Sequence, residues 1–408
     1  RRPLLRSGPH RRLGRCRCRR RGRAAMNATR VRHLENALGL FDQMRRTETP
    51  YLPLDLFLRR YFQAHRFLES KDRAWIADKT YELHRWRGLL DHVATPPHSW
   101  VNRMRTFFTG DRWRSQTQNP KLPVHVRCSF PKEYFGRMES SLGTKATHEI
   151  CDILNESPIT FLRVNTARIS RDKVFSFLSA RSVPVEKTLN SKIGLLLASK
   201  QKMLELPEYK MGYFEIQDES SQLIAQQVDA KPGELVLDFC AGSGGKALAF
   251  APPMLNRGQV FLHDNRDMKL FEAKQRLRRA GIRNYTLLPP SHPLLPKLRT
   301  KMDWVLVDAP CSQTGALRRN PDMKWVYTDD RLFRWVAQQR EIFEEALKYV
   351  KDGGKIIYAT CSTLDEENAS QVRFFCERFG LYLSHPPLHA LPQSRGMDGF
   401  FCATMERR

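Results

Sequence analysis

The chain has 408 residues, 41% of them hydrophobic, with 69 lysines and arginines against 43 acidic residues, a net charge of +26. That length suits two or three domains with their own cores, the apolar fraction excludes a disordered chain, and the basic excess points to a polyanionic partner, nucleic acid first. No run of about 18 apolar residues occurs, so no membrane partner is expected, and nine cysteines without a C-x-x-C pair suit a reducing intracellular compartment more than a disulfide scaffold.

Residues 1–25 hold eleven arginines and no acid. They read as a basic arm, an organelle-targeting segment, or sequence upstream of a start at Met26. Without them the body stays near +15, so the inference of a polyanionic partner survives. Residues 26–95 are expected to be helical: Leu34, Ala37, Leu38 and Phe41 share one face, and Ile76, Leu83, Trp86 and Leu90 another. Basic residues there interleave with aromatics such as Tyr61, Phe62, Trp75, Trp86 and, further on, Trp113. Such a pattern fits either a solvated face opposite a core or an RNA-binding surface. The Pro-, Asn- and Arg-bearing stretch 96–124 reads as a linker. "ITFLRVNTARIS", "RDKVFSFLSARS" and "VPVEKT" predict strand, helix and strand in a small α/β module over 125–215.

Regular alternation fills 216–408. "ELVLDF", "GQVFLHD", "NYTLL", "MDWVLVD" and "GKIIYAT" read as strands, with helices between them; one ends at Gly281 and another is cut short by Pro252 and Pro253. The expected fold is α/β, a parallel, doubly wound Rossmann-like sheet.

Three stretches carry chemistry. In "LDFCAGSGGK" (237–246) a strand runs into a Gly-rich turn and the start of a helix, where backbone passes close to a ligand. The turn matches neither the dinucleotide fingerprint nor the phosphate loop, which leaves a cofactor turn of another kind or a tight structural turn. Cys240, Ala241, Gly242, Ser243, Gly244, Gly245 and Lys246 are its candidate cofactor-binding residues. Asp264, ending the next strand, stands where ribose hydroxyls would be held, so the pair favours an adenosine-bearing cofactor. "VDAPCSQTG" (307–315) and "YATCSTLDEEN" (358–368) each place one cysteine just beyond a strand. If the two strands are neighbours, both loops overhang one crevice. A disulfide does not suit a reducing compartment, and further metal ligands at usable spacing are missing. Buried fillers and a thiol nucleophile with a second thiol both remain open.

Together these stretches resemble the Sun/Nop family of RNA cytosine-C5 methyltransferases, and within it the bacterial 16S ribosomal RNA enzymes. "GYFEIQDESSQLIA" (212–225) is similar to the family's entry into its catalytic domain, "ITFLRVNT" to its small domain, and "PLDLFLRRYF" with "KDRAWIADKTYELHRWRGLLD" to its NusB-like RNA-binding domain. The resemblance implies a class I S-adenosylmethionine methyltransferase preceded by a small α/β module and an all-α domain, a monomer acting on RNA, small-subunit ribosomal RNA first. It also implies roles. Cys361 is the nucleophile that adds to C6 of cytosine, and Cys311 assists proton removal and release. Asp308 binds the base edge and lies at the cofactor, and Lys246 sits between cofactor and base. Three departures stand out. The family's A-A-P-G-G-K turn is Ala241-Gly242-Ser243-Gly244-Gly245-Lys246 here, expected to be less rigid. The family's adenine-contacting Asp is missing from "LLPPSHPLLP" (287–296), where Ser291 or backbone is expected to substitute. Asn320 stands where relatives often carry His. They keep a second reading open: a degenerate member acting as an RNA-binding, ribosome-assembly scaffold.

Overall fold

A computed structural model describes residues 28–47, 52–199 and 201–407. The arginine-rich stretch 1–25 lies outside the described residues.

An all-helical region comes first. Helices Ala28–Thr47, Ser70–Arg85 and Arg87–Val93 bury Leu34, Leu38, Ile76, Leu83, Leu89 and Leu90. One expectation is corrected here. Residues 96–124 are not a linker: Trp100–Phe108 is a helix, and Trp100, Met104, Phe107 and Trp113 complete that same core. The spacing of four and three residues puts Trp100, Met104 and Phe107 on one helix face, Trp113 joins them from the next short helix, and their burial overrides the local Pro and Asn signals. The aromatics paired with basic residues are also core groups. Tyr61 and Trp113 are buried, while Phe62, Trp75 and Trp86 pack half-buried against the helical cores.

The expected 125–215 module divides in two. Helices Lys132–Leu142 and Thr144–Leu154 pack Tyr134, Met138, Ile150 and Leu154 against Leu317, Met323, Val326 and Leu332 of the C-terminal domain. Only the second part is α/β. Strands β1 (Thr160–Val164), β2 (Val185–Lys187), β3 (Gly194–Leu197) and β4 (Phe214–Ile216) form an antiparallel sheet in the order β2-β3-β1-β4. Helix Arg171–Ala180 covers it through Val174 and Leu178.

In the C-terminal domain, β5 (Leu235–Asp238), β6 (Gln259–His263), β7 (Tyr285–Leu288), β8 (Met302–Asp308) and β9 (Val350–Thr360) pair in parallel in the order β7-β6-β5-β8-β9. Successive side chains feed opposite layers. Val236, Leu262, Leu306 and Ile357 meet Leu270, Ala273 and Leu277 of helix Asp267–Ala280. Leu237, Phe261, Val305, Val307 and Ile356 meet Phe343 of helix Asp329–Leu347 and Phe375 of helix Ala369–Phe379. This is the doubly wound Rossmann-like fold of class I S-adenosylmethionine methyltransferases.

The sheet is not wholly parallel. β10 (Leu381–Leu383), β11 (Leu388–Ala390) and β12 (Phe400–Arg407) extend it, with β12 antiparallel to β9. "FFCATM" is buried on both faces, so it carries no alternation to announce a strand. Among the described residues no helix is long and apolar enough to cross a membrane.

The segment after the DAPC loop reaches into the N-terminal region. Lys324, fully buried, donates from Nζ to Arg85 O (3.0 Å), Ser129 O (3.3 Å) and Asn155 Oδ1 (2.5 Å). Trp325 Nε1 donates to His84 O (2.8 Å), and the Arg85 guanidinium donates to Arg318 O (2.8 Å).

Candidate active site

The chain runs outward from β5 to β7, then returns to the other side of β5 with β8, so the sheet has its switch point between β5 and β8. Loops leaving these strands diverge there and leave a crevice. A cavity of about 830 Å³ opens at that point, within the range of roughly 300–1,000 Å³ usual for small-molecule sites. Its walls include Asp238, Cys240, Ala241, Gly242, Ser243, Gly245 and Lys246 after β5, Asp264 after β6, Asp308 and Cys311 after β8, and Cys361 after β9.

Nearly every residue singled out from sequence is therefore brought together. Gly244 is the exception. It does not line the cavity but turns away, at φ +73°, and a Cβ there would lie 3.1 Å from that of Ala273. The glycine lets the helix Asp267–Ala280 close onto the turn.

The two thiols meet. β8 and β9 are neighbouring parallel strands with Asp308 opposite Ala359, so their loops leave the sheet side by side. Cys311 Sγ and Cys361 Sγ are 3.5 Å apart, Cys311 buried and Cys361 partly exposed to the cavity. The hydrogen bond to Cys361, reinforced by burial, pushes the Cys311 thiol well above its ordinary range. Gly315 ties the loops together: its N–H donates to Cys361 O (2.9 Å), and a Cβ would collide with Gly399 O at 2.6 Å.

A buried polar network fixes both loops from behind. Ser312 N–H donates to Glu367 Oε1 (2.9 Å), Ser312 Oγ donates to Glu367 Oε2, and Gln339 Nε2 donates to Glu367 Oε1 (3.0 Å) and Pro310 O (3.1 Å). Burial raises the Glu367 carboxyl above its ordinary value, against these hydrogen bonds. Asn368 holds the other loop, accepting from Thr360 Oγ1 (2.5 Å) and donating to Ser362 O (3.0 Å). Glu367 and Asn368 lie within "YATCSTLDEEN", but sequence alone gave them no role.

Lys246 is buried and its Nζ pairs with Asp308 Oδ2. Burial alone would lower the ammonium, but the pairing with Asp308 outweighs it and raises the pKa, so the lysine is a fixed cation beside the thiols. Asp238 is fully buried behind this pair, and neither of its carboxylate oxygens has a hydrogen-bond partner among the described residues. Burial, with the charge of Asp308 adding to it, pushes its pKa up to about 7. Burial and the same aspartates raise the Cys240 thiol, so that sulfur is an inert wall.

Asp264 stands at the predicted strand end, but its carboxylate is already engaged. Oδ2 accepts from Gly242 N–H (2.8 Å), and Arg266 donates to both oxygens (2.8 and 2.9 Å). Although burial opposes it, this pairing lowers the Asp264 pKa. The Arg266 side chain is itself 62% exposed.

The Gly-rich turn is not loose, which corrects the expectation drawn from its lost proline. Arg276 Nη1 donates to Ser243 O (2.9 Å) and Ser243 Oγ (2.8 Å), and the same guanidinium is held by buried Glu215 Oε2 (3.0 and 3.2 Å) on β4. Arg163 of β1 donates to Gly245 O (2.7 Å), as does Gln217 Nε2 (3.1 Å). The small sheet thus clamps the turn. Ser291 is exposed and outside the cavity, so it does not replace the missing acid; His263, Gln338 and Ile342 line the wall instead. The donor set fits an adenosine-bearing sulfonium cofactor: backbone N–H groups and Lys246 for a carboxylate, acids for an ammonium and ribose hydroxyls, and the free oxygens of Asp238 beneath.

Residues 225–406 match the family model described as 16S rRNA methyltransferase RsmB/F, and residues 130–203 match the ferredoxin-like domain of RsmF/B-like methyltransferases. Both matched segments thus resemble RsmB/F-type methyltransferases. It is 29% identical to a probable ribosomal RNA small subunit methyltransferase B of Synechocystis over 70% of this chain and 69% of that protein. To the ribosomal RNA small subunit methyltransferase B of Serratia proteamaculans it is 32% identical over 63% of this chain and 62% of that protein. Over the parts aligned, the chain thus spans between three fifths and seven tenths of these RsmB relatives. Its fold matches the crystal structure of PH0851 with a TM-score of 0.76, at 22% identity, over 94% of this chain and 99% of that one. A methyltransferase homologue from Pyrococcus horikoshii superposes with a TM-score of 0.62 at 25% identity, over 70% and 97% of the respective chains.

Proposed function

We propose that this protein is an S-adenosylmethionine-dependent RNA methyltransferase that modifies C5 of a cytosine, in small-subunit ribosomal RNA, through a covalent adduct at Cys361. The observation that carries this reading is the pair of thiols at 3.5 Å beside the buried Lys246–Asp308 pair, all on one cavity. The cofactor, held by the Gly-rich turn, Lys246 and Asp264, supplies the methyl group.

The chain's own residues do the rest. C5 of cytosine is too weak a nucleophile to be methylated unaided. Addition of the Cys361 thiolate to C6 forms an S–C6 bond and makes C5 enamine-like. Lys246, a permanent cation beside the cavity, stabilises the thiolate before attack. Asp308 accepts from the exocyclic amine and holds the base edge while charge builds on the ring. After methylation the C5 proton passes to a water molecule, the C5=C6 bond re-forms, and the S–C6 electron pair returns to Cys361 as a thiolate. Cys311, 3.5 Å from that sulfur and held protonated by its surroundings, stands where its S–H can donate a hydrogen bond to the departing thiolate. A duplex base could not reach this buried pair, so the target leaves its stack first.

The scaffold reading rested on a slack turn and a missing adenine contact. The clamp on Ser243 and Gly245 removes the first reason.

The test separates the cysteines. With RNA and S-adenosylmethionine, Cys311→Ala should retain methylated RNA on Cys361, seen as a band shifted by the RNA mass on a denaturing gel. Cys361→Ala and the double variant should show none. An adduct in Cys361→Ala alone would exchange the roles. Calorimetry that detects no S-adenosylmethionine binding at millimolar ligand would leave only the scaffold. Bisulfite sequencing of RNA from a knockout identifies the nucleotide.

A further inference from the structure

Gln313 follows the Cys311 loop and lines the cavity beside both thiols. It is one of few non-glycine residues at positive φ, +60°, a conformation that strains any residue with a Cβ. Two contacts explain why the strain is kept. The turn aims the Gln313 backbone N–H at the Cys311 sulfur. Its side-chain Oε1 accepts from Asn320 Nδ2 (2.8 Å), which fixes the amide plane. With Oε1 engaged, Nε2 has no hydrogen-bond partner among the described residues. A cavity-lining side chain, fixed at one end and with two unused N–H donors at the other, is a donor waiting for an acceptor.

We propose that Gln313, oriented by Asn320, is a base-reading residue whose Nε2 donates to O2 of the flipped cytosine. The assignment rests on the cytosine-C5 reading above. The chemistry is complementary to Asp308. A pyrimidine ring attacked at C6 accumulates negative charge along its C2 carbonyl and N3. Asp308 can only accept, so it serves the exocyclic amine and leaves that carbonyl without a donor. Gln313 supplies one on the Cys311 side of the cavity. Asn320, where relatives often carry His, then acts as a positioning residue: it touches no substrate but settles which face of the Gln313 amide is offered.

Gln313→Gly is a discriminating variant because it keeps the backbone N–H to Cys311 and relieves the strain at φ +60°. If the side chain were merely structural, this variant would melt at the same or a higher temperature and methylate as before. The expected result is an unchanged or raised Tm with kcat/KM down roughly three- to tenfold, the usual weight of one neutral hydrogen bond. Gln313→Asn, which tolerates the same backbone but is too short to reach the base, should behave alike and covers a Gly variant that fails to fold. RNA carrying 2-thiocytidine at the target, whose sulfur is a poor acceptor, should slow the wild type more than either variant. Equal sensitivity of wild type and variants to the 2-thio substitution, or full activity in Gln313→Gly, overturns the assignment while the wild type still methylates cytosine. Failure of the wild type to methylate cytosine at all overturns the underlying reading, and this assignment with it.

Discussion

The two sides of the cavity solve one problem in different ways. On the thiol side, the loops bearing Cys311 and Cys361 are pinned from within their own domain by buried Ser312, Gln339, Glu367 and Asn368. On the cofactor side, the Gly-rich turn is held from its own domain by Asp264, Asp308 and Arg276 and also from outside, by Arg163 of the small sheet and by Glu215 acting through Arg276. An internal network preserves geometry as long as the domain is folded. A clamp made by a second domain preserves it only while the two stay docked. Cofactor affinity is therefore a property that docking of the small sheet can tune.

Breaking the internal network should do the most damage. Glu367→Ala leaves Ser312 N–H buried without an acceptor and leaves Gln339 Nε2 only Pro310 O, and should cost roughly 3 kcal/mol of stability, with methyl transfer nearly lost. Glu367→Gln should restore most of the stability, because burial already favours the uncharged form. Urea denaturation alongside a methylation assay measures both.

Asp238 lies beneath both sides and tests them through pH. Its folded pKa of about 7 stands above the ordinary 3.8, so the folded state holds its proton more tightly than the unfolded chain. That stabilisation is complete below about pH 4, and it is lost as pH rises through 7. Asp238→Asn should therefore melt close to wild type at pH 4 and be more stable at pH 8, by roughly 4 kcal/mol. A Tm difference that stays flat from pH 4 to pH 8 would mean the carboxyl is ionised throughout.

Opening the external clamp should be milder and one-sided. Arg276→Ala frees Ser243 from Glu215 and should weaken S-adenosylmethionine binding about tenfold in calorimetry. Covalent capture of RNA at saturating cofactor should be unchanged. Loss of both together would show that the sides are mechanically coupled. Ser243→Ala removes one of the two bonds to Arg276 and should give the smallest change, about 0.5–1 kcal/mol in cofactor affinity.

How much of this was legible depended on where the signal lay. The strands β5 to β9 are short apolar runs ending in turn residues, and the cysteines follow such runs directly, so position in the sheet could be inferred from local pattern alone. The clamp was not legible. Arg276 lies 33 positions beyond Ser243 on a helix that also carries Lys269, Lys274, Arg278 and Arg279, and nothing local marks which cation turns inward. Gln313 was hidden for a related reason, since its φ of +60° and its bond to Asn320 are properties of the folded loop. The helix Trp100–Phe108 was legible, because Trp100, Met104 and Phe107 carry a helical period, but the prolines and polar residues around it drew attention instead. Nucleic-acid binding inferred from charge stands apart from these positional readings. It predicts RNA affinity that falls steeply with salt in a protein starting at Met26, and filter binding between low and physiological salt checks it.

Lys324 carries a consequence for biosynthesis. Its Nζ fills a socket made of Arg85 O, Ser129 O and Asn155 Oδ1, all of which leave the ribosome more than 160 residues earlier. Until residue 324 emerges, the helical region holds three inward-facing oxygens with no donor, and Gly88 faces the vacant place of the Trp325 ring. The N-terminal helices therefore cannot reach their final packing as the chain grows. They wait, partly assembled, for a plug that belongs to the catalytic domain, and the loop that delivers the plug is the one that has just delivered Cys311.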